Sequence, residues 1–298
     1  MVLLTGYFRR RTPGSALRTC LITGLSAILL AGLPALGWAA EPYNWQLGMQ
    51  PPATPVQAAI DGLHNLLLII IFAISAFVLA LLLYVIVRFR ASRNPVPTRT
   101  AHNTVIEVLW TVVPVLILVI IAIPSFRLMY FMDRVPEAEM TVRVVGNQWF
   151  WTYSYPDQGD FSFASNLIQA SDLKPGDKRL LDVDNPLVVP IDTNIRVLVT
   201  GVDVMHSWFI PSFGIQFYAY PGRVNETWMR VENPGTFYGQ CNQICGINHA
   251  YMPIKVVAVS KPEFERWLVE ARQRFAAGAP AGEETQPTTV AAAAAAAN

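Results

Sequence analysis

Four side chains able to bind a soft metal crowd into one short stretch: Cys241, Cys245, His249 and Met252, at spacings of four, four and three residues. Three chemistries fit such a set. Two nearby thiols on the exported side of a membrane can close a disulfide. Thiolate and imidazole ligands can hold a structural zinc, which would normally lack the thioether. Thiolate, imidazole and thioether together favour copper over zinc, magnesium or calcium. A copper site of this kind takes one further nitrogen from an earlier strand. The chain has four histidines, and with His64 and His102 lying beside apolar segments, His206 is the candidate. A lone histidine next to Trp208 is ordinarily a satisfied turn or core residue; the need for another nitrogen reverses that reading.

A loop of ligands needs a scaffold, and composition says what kind. Of 298 residues, 53% are hydrophobic and 14% charged, whereas a soluble domain carries about 25% charge. This argues against a wholly soluble enzyme and against disorder over most of the length. A net charge of +1, from 22 basic and 21 acidic residues, offers no basic face for nucleic acid. Three cysteines are too few for a disulfide scaffold. A membrane protein remains, with the lipid bilayer as its first partner.

Residues 1–39 read as a cleavable signal peptide. Arg9, Arg10, Arg11 and Arg18 precede an apolar run over 21–36 that ends in the small residues Gly37, Ala39 and Ala40. Cleavage is expected after Ala39; the run is short for an uncleaved anchor. After an extracytoplasmic segment at 40–62, transmembrane helices are expected over 63–87 and 108–126. The second contains Pro114 and Pro124, which membrane helices tolerate. The loop at 88–107 carries Arg88, Arg90, Arg93 and Arg99 against Glu107 alone, so it is expected in the cytoplasm. The segments on either side of the hairpin then face outward. This orientation agrees with the signal peptide and puts a multi-pass protein in the inner membrane, its C-terminal domain periplasmic.

Residues 127–275 form the expected extramembrane domain. Strand-like runs at 141–145, 148–155, 187–191, 195–200, 227–231 and 253–259 are separated by turn residues, the pattern of an all-β sandwich or barrel. A closing helix is expected from Pro262 and the spacing of Phe264, Trp267, Leu268 and Ala271. The Ala-rich stretch at 276–298 reads as a disordered tail.

The ligand loop, His206-Ser207-Trp208, the run from Gln148 to Tyr153 and the run from Glu107 to Thr111 together resemble subunit II of the haem-copper cytochrome c oxidases, over roughly 55–270. The resemblance implies a cupredoxin-like sandwich bearing the binuclear copper centre CuA. Cys241 and Cys245 would bridge two coppers. His206 and His249 would bind one each, Met252 would be a weak ligand, and Gln243 would offer its backbone carbonyl. It further implies that electrons arrive from reduced cytochrome c and pass to haem in subunit I, where oxygen is reduced and protons are pumped, with subunit III as another partner. Trp149 matches the exposed tryptophan that receives the electron, with Trp151 beneath it. Asp157, Asp160 and Asp203 match docking acids. Glu107 matches a glutamate at the mouth of a proton path, although a boundary carboxylate near a helix N-terminus reads equally well from the residues. No Cys-x-x-Cys-His is present, hence no fused c-type haem.

Two departures stand out. The family usually has Glu where Gln243 stands, and that carboxylate reaches a magnesium or manganese ion at the subunit I interface; a neutral amide weakens the case for the ion. The usual Lys-x-Asp-Ala-x-Pro-Gly-Arg is replaced over 216–223, with Gln216 and Tyr218 at the charged positions. The rival from another class is a membrane-anchored copper-binding or copper-delivery protein, whose ligands should be exposed.

Overall fold

A computed structural model describes residues 38–96 and 98–276. The expected signal peptide and tail lie outside the described residues, except for Trp38, Ala39 and Ala276. Trp38–Ala40 form a short strand, β1, and the expected cleavage point after Ala39 falls within it.

Two long helices follow. The first, α1 (Pro55–Arg88), starts where the Thr54 hydroxyl accepts a hydrogen bond from Gln57 N and Pro55 occupies the first turn. The second, α2 (Thr104–Asp133), is capped by Asn103, whose side-chain oxygen accepts from Val105 N and Ile106 N. Glu107 sits in its first turn, where the helix dipole favours an acid. At 34 and 30 residues, the helices are about 50 and 45 Å long, against roughly 30 Å of hydrocarbon. Their ends therefore project beyond the apolar runs expected at 63–87 and 108–126, because charge-free length marks the lipid and capping marks the helix. Phe72, Phe77, Leu118 and Ile120 are exposed along them, and a helix apolar all round suits lipid.

The domain is a sandwich of two sheets. One holds β4 (Phe161–Ser165), β3 (Phe150–Tyr155), β2 (Met140–Asn147), β6 (Ile195–Gly201) and β9 (Asn225–Met229), in that order. The other holds β5 (Leu187–Pro190), β11 (Pro253–Val259), β10 (Gly235–Cys241), β7 (His206–Ile210) and β8 (Ile215–Ala219), with β1 added parallel to β10. Alternation along β2, β3 and β6 turns Val142, Val144, Trp151, Tyr153, Tyr155, Val197 and Val199 inward against Trp208, Ile210, Phe237 and Ile254. The closing helix α3 (Lys261–Ala276) buries Phe264, Leu268 and Ala271 on the same core.

The strand expected over 148–155 begins at Phe150: Gln148 and Trp149 form the tight turn between β2 and β3. Strands β1, β4, β7, β8 and β10 lie outside the strand-like runs read from the sequence; β1 overlaps the expected signal peptide, and β10 starts at Gly235, which weakens its strand signal. The sandwich is fastened to the hairpin by Thr54 Oγ1, which donates to Phe213 O (2.7 Å), by Ala53 N donating to Ser212 O (2.8 Å), and by Phe131 edge-on to Trp228.

Candidate metal centre

His206 opens β7 and Cys241 closes β10, and these adjacent antiparallel strands pair through Cys241 and Trp208. Strand pairing thus brings two ligands separated by 35 positions to one end of one sheet. Beyond Cys241 the chain leaves the sheet for residues 242–252 and returns as β11, so the other candidates are delivered by a loop whose two ends are fixed in neighbouring strands.

The geometry is that of a donor cage. Cys241 Sγ and Cys245 Sγ are free thiols 3.9 Å apart. A disulfide would need about 2.05 Å, whereas two sulfurs held at about 2.3 Å by one tetrahedral ion stand about 3.8 Å apart. Cys245 Sγ lies 3.5 Å from His249 Nδ1 and 3.5 Å from Met252 Sδ, and Cys241 Sγ lies 3.3 Å from the Gln243 carbonyl oxygen. Donor atoms of His206, Cys241 and Cys245 all lie within 4.8 Å of one another. The structure therefore brings together all six residues expected as ligands.

His206 gives a sharper test of whether a metal fits. Its ring is fully buried, and Nε2 meets Asp203 Oδ1 at 2.8 Å. Nδ1 is buried with no hydrogen-bond partner, a costly state unless something else binds it. A carboxylate on one ring nitrogen and an unpartnered second nitrogen beside two thiols is the arrangement of a metal-ligating histidine oriented from behind. Gly146 on β2 makes room for the ring: a Cβ there would lie 2.8 Å from His206 Cδ2.

Electrostatics divide the two thiols. Burial opposes ionisation of Cys241, but the adjacent His206 ring and hydrogen bonding from the backbone at Ser207 and Gln243 outweigh it and hold the thiol below its ordinary range. Cys245 is pushed up to about 12 by burial and by the neighbouring Cys241 charge. Burial works against a charged His206 too, yet the adjacent Cys241 and the hydrogen bond to Asp203 raise its pKa. A buried, polarised cage of thiol, thioether and imidazole donors suits a soft cation. Metal uptake would displace the Cys245 proton.

The other expected residues are dispersed. Trp149 is half-buried, more covered than an exposed docking tryptophan, and its Nε1 donates to Cys245 O at 3.2 Å. Trp151 is fully buried, and its Nε1 donates to Met252 O at 3.2 Å, bracing the loop from below. Asp203 stands beside the cage, 31% exposed, accepting from His206, Gln148 N (2.6 Å) and Val204 N (2.6 Å). Asp157 accepts from Thr141 N and Asp160 follows in the β3–β4 connection. Both lie at the far end of β3, about 17–20 Å of strand from Trp149. Glu107, at the opposite end of α2 from the domain, is not part of this cluster. Sequence reasoning missed the orienting role of Asp203, although Asp and His three residues apart at a strand start was a usable signal. It also missed Gln148 and Gly146, for which no local signal exists.

Comparison with known proteins accounts for both halves of the chain. Residues 42–128 match the family model "Cytochrome C oxidase subunit II, transmembrane domain", and residues 140–259 match "Cytochrome C oxidase subunit II, periplasmic domain". The probable cytochrome c oxidase subunit 2 of Rickettsia bellii is 49% identical over 241 residues, covering 81% of this chain and 90% of that protein. That of Rickettsia prowazekii is 50% identical over 231 residues, covering 78% and 74%. The cytochrome c oxidase subunit 2 of Oenothera berteroana is 47% identical over 240 residues, covering 78% and 92%. With both the membrane hairpin and the ligand-bearing sandwich matched in order, the chain belongs to the cytochrome c oxidase subunit II family.

Proposed function

We propose that this chain is the electron-accepting subunit of a cytochrome c oxidase. It takes electrons from reduced cytochrome c at a CuA centre and delivers them to haem in subunit I, where oxygen is reduced and protons are pumped. The observation that carries this reading is the convergence of His206, Cys241, Cys245, His249, Met252 and the Gln243 carbonyl in one cage. Bound there, copper would supply one-electron exchange.

The chain's own residues provide the rest. His206 is held by Asp203, so its ring keeps one orientation. The loop carbonyls of Cys245, Ala250 and Met252 accept from Gln148 and Trp149, from Gln240 and from Trp151 respectively, so the donors change position little between charge states. Trp149 forms the outer face of this contact, one hydrogen bond from a ligand residue, and is our choice for the point of electron uptake. Asp203 beside it would orient a basic donor. Asp157 and Asp160, further away, would act on approach through the long-range field, an influence on rate that salt weakens.

Burial of Cys241, Cys245, His206 and Met252 favours this reading over copper delivery, which calls for exposed ligands. We place the domain in the periplasm, the hairpin in the inner membrane and Glu107 at the cytoplasmic mouth of a proton path. Subunits I and III are the membrane partners. Gln216 and Tyr218 lie on β8, the edge strand paired with the His206 strand. With Gln243 also neutral, an interfacial magnesium or manganese ion would be bound weakly. Copper analysis of the assembled complex tests the proposal: a copper pair per chain, lost on Cys241→Ser, supports it, and a copper-free complex with full oxidase activity refutes it.

A further inference from the structure

Gln148 belongs to no ligand set, yet it touches both halves of the cage. Its backbone N–H donates to Asp203 Oδ2 at 2.6 Å, and Asp203 Oδ1 meets His206 Nε2 at 2.8 Å. Its side-chain Nε2 donates to the Cys245 carbonyl at 2.7 Å, where Trp149 Nε1 donates as well at 3.2 Å. That oxygen therefore has both lone pairs engaged. The next residue, Gly246, has φ +126, and a Cβ there would stand 3.0 Å from both Gln148 Nε2 and Trp149 Cζ2. The ligand loop lies flat on the β2–β3 turn, an approach that only glycine permits at that position.

We propose that Gln148 is a positioning residue that locks the Cys245 side of the metal centre to the His206 side, through its amide on one and its backbone on the other. The inference rests on reading the cage as the copper centre, but its physical content is present without metal. His206 comes from one sheet and Cys245 from a loop of exposed residues, Ile244 and Ile247 among them at 80% and 88%. The lock restricts how far the loop can move relative to the histidine, so the cage is prepared before copper arrives.

Two substitutions separate the amide from the backbone. Gln148→Leu keeps an apolar stem one bond shorter and cannot donate. Gln148→Glu keeps the shape and sets a carboxylate oxygen against the carbonyl. Both retain the N–H that holds Asp203. Hydrogen exchange of the full-length copper-free chain in detergent should be about three- to tenfold faster over 242–248 in Gln148→Leu, the effect of one net hydrogen bond. It should be faster again in Gln148→Glu and unchanged over 203–208. In the assembled oxidase, the same series should lose copper to a chelator roughly tenfold or more faster than the parent. Equal exchange over 242–248 in all three proteins would overturn the proposal. So would equal loosening of both segments, because Gln148 would then merely support the hairpin. An absence of copper in the unmodified oxidase would instead strike the functional reading, leaving the exchange result to stand alone.

Discussion

Gly146 lies directly against the His206 ring, and Gly146→Ala should move a ligand without removing one. The new methyl carbon would lie 2.8 Å from His206 Cδ2, 3.0 Å from Cγ and 3.1 Å from Cβ. Carbon atoms rest comfortably at about 3.5–4.0 Å, so one side must yield by about 0.7–1.2 Å. Strand β2 is paired on both edges, Gly146 standing opposite Trp151 of β3 and Gly201 of β6, so the imidazole has to move. It cannot swing freely, because Asp203 holds Nε2. Overpacking of this size costs about 1–3 kcal/mol. A ligand displaced by about 1 Å is outside the tolerance of a preorganised site. The assay is copper content and the visible and electron paramagnetic resonance spectra of the assembled complex, with thermal stability alongside. Gly62→Ala, where nothing lies within 4 Å, is the control. The expected result is a modest stability loss with a clearly altered copper signal. An unchanged copper signal in a folded Gly146→Ala protein would mean that His206 is not a ligand where the structure places it.

Removing the carboxylate behind the same ring, Asp203→Asn, should weaken copper retention roughly 10–100-fold, measured by competition with a chelator. Copper affinity of the reduced chain should rise with pH by about tenfold per unit near neutrality, since Cys245, with its pKa near 12, must surrender a proton; Cys245→Ser should flatten that slope in a calorimetric titration. Away from the centre, buried Asp182 is opposed by its burial but receives hydrogen bonds from Lys255, the Lys178 backbone and Tyr238, which lower its pKa. Its contribution is thus present above the ordinary carboxyl range and lost as pH falls through the lowered value. Lys255→Met should destabilise the domain by about 3 kcal/mol at neutral pH, the low end for breaking a buried pair because Lys255 is 22% exposed; denaturant unfolding measures it.

Much of this protein was legible in the sequence because its chemistry is local. Four ligands fall within twelve residues, and the membrane runs are marked by the absence of charge. Both signals survive without knowledge of the fold. What was not legible depends on pairing. His206 was reached by elimination among four histidines, but the β7–β10 register that brings it to Cys241 is announced by no nearby residue. Aromatic content made 148–155 read as one strand, and only the β2–β3 register shows Gln148 and Trp149 as its turn. Asp203 carried an acid's ordinary meaning, an exposed charge for a partner, until its distance to His206 gave it an orienting role. Asp157 and Asp160 were grouped with it by the family resemblance, and strand direction separates them from Trp149.

The cage of His206, Cys241, Cys245, His249 and Met252 is proposed to hold a pair of coppers that shares one electron. Copper per chain, measured on the assembled complex together with its electron paramagnetic resonance spectrum, tests that claim most directly. The expected result is a copper pair at the centre and a hyperfine pattern from an electron spread over both nuclei, converted to a single-copper pattern or abolished by Cys245→Ser. A single-nucleus pattern in the unmodified protein, or zinc in place of copper, would contradict it.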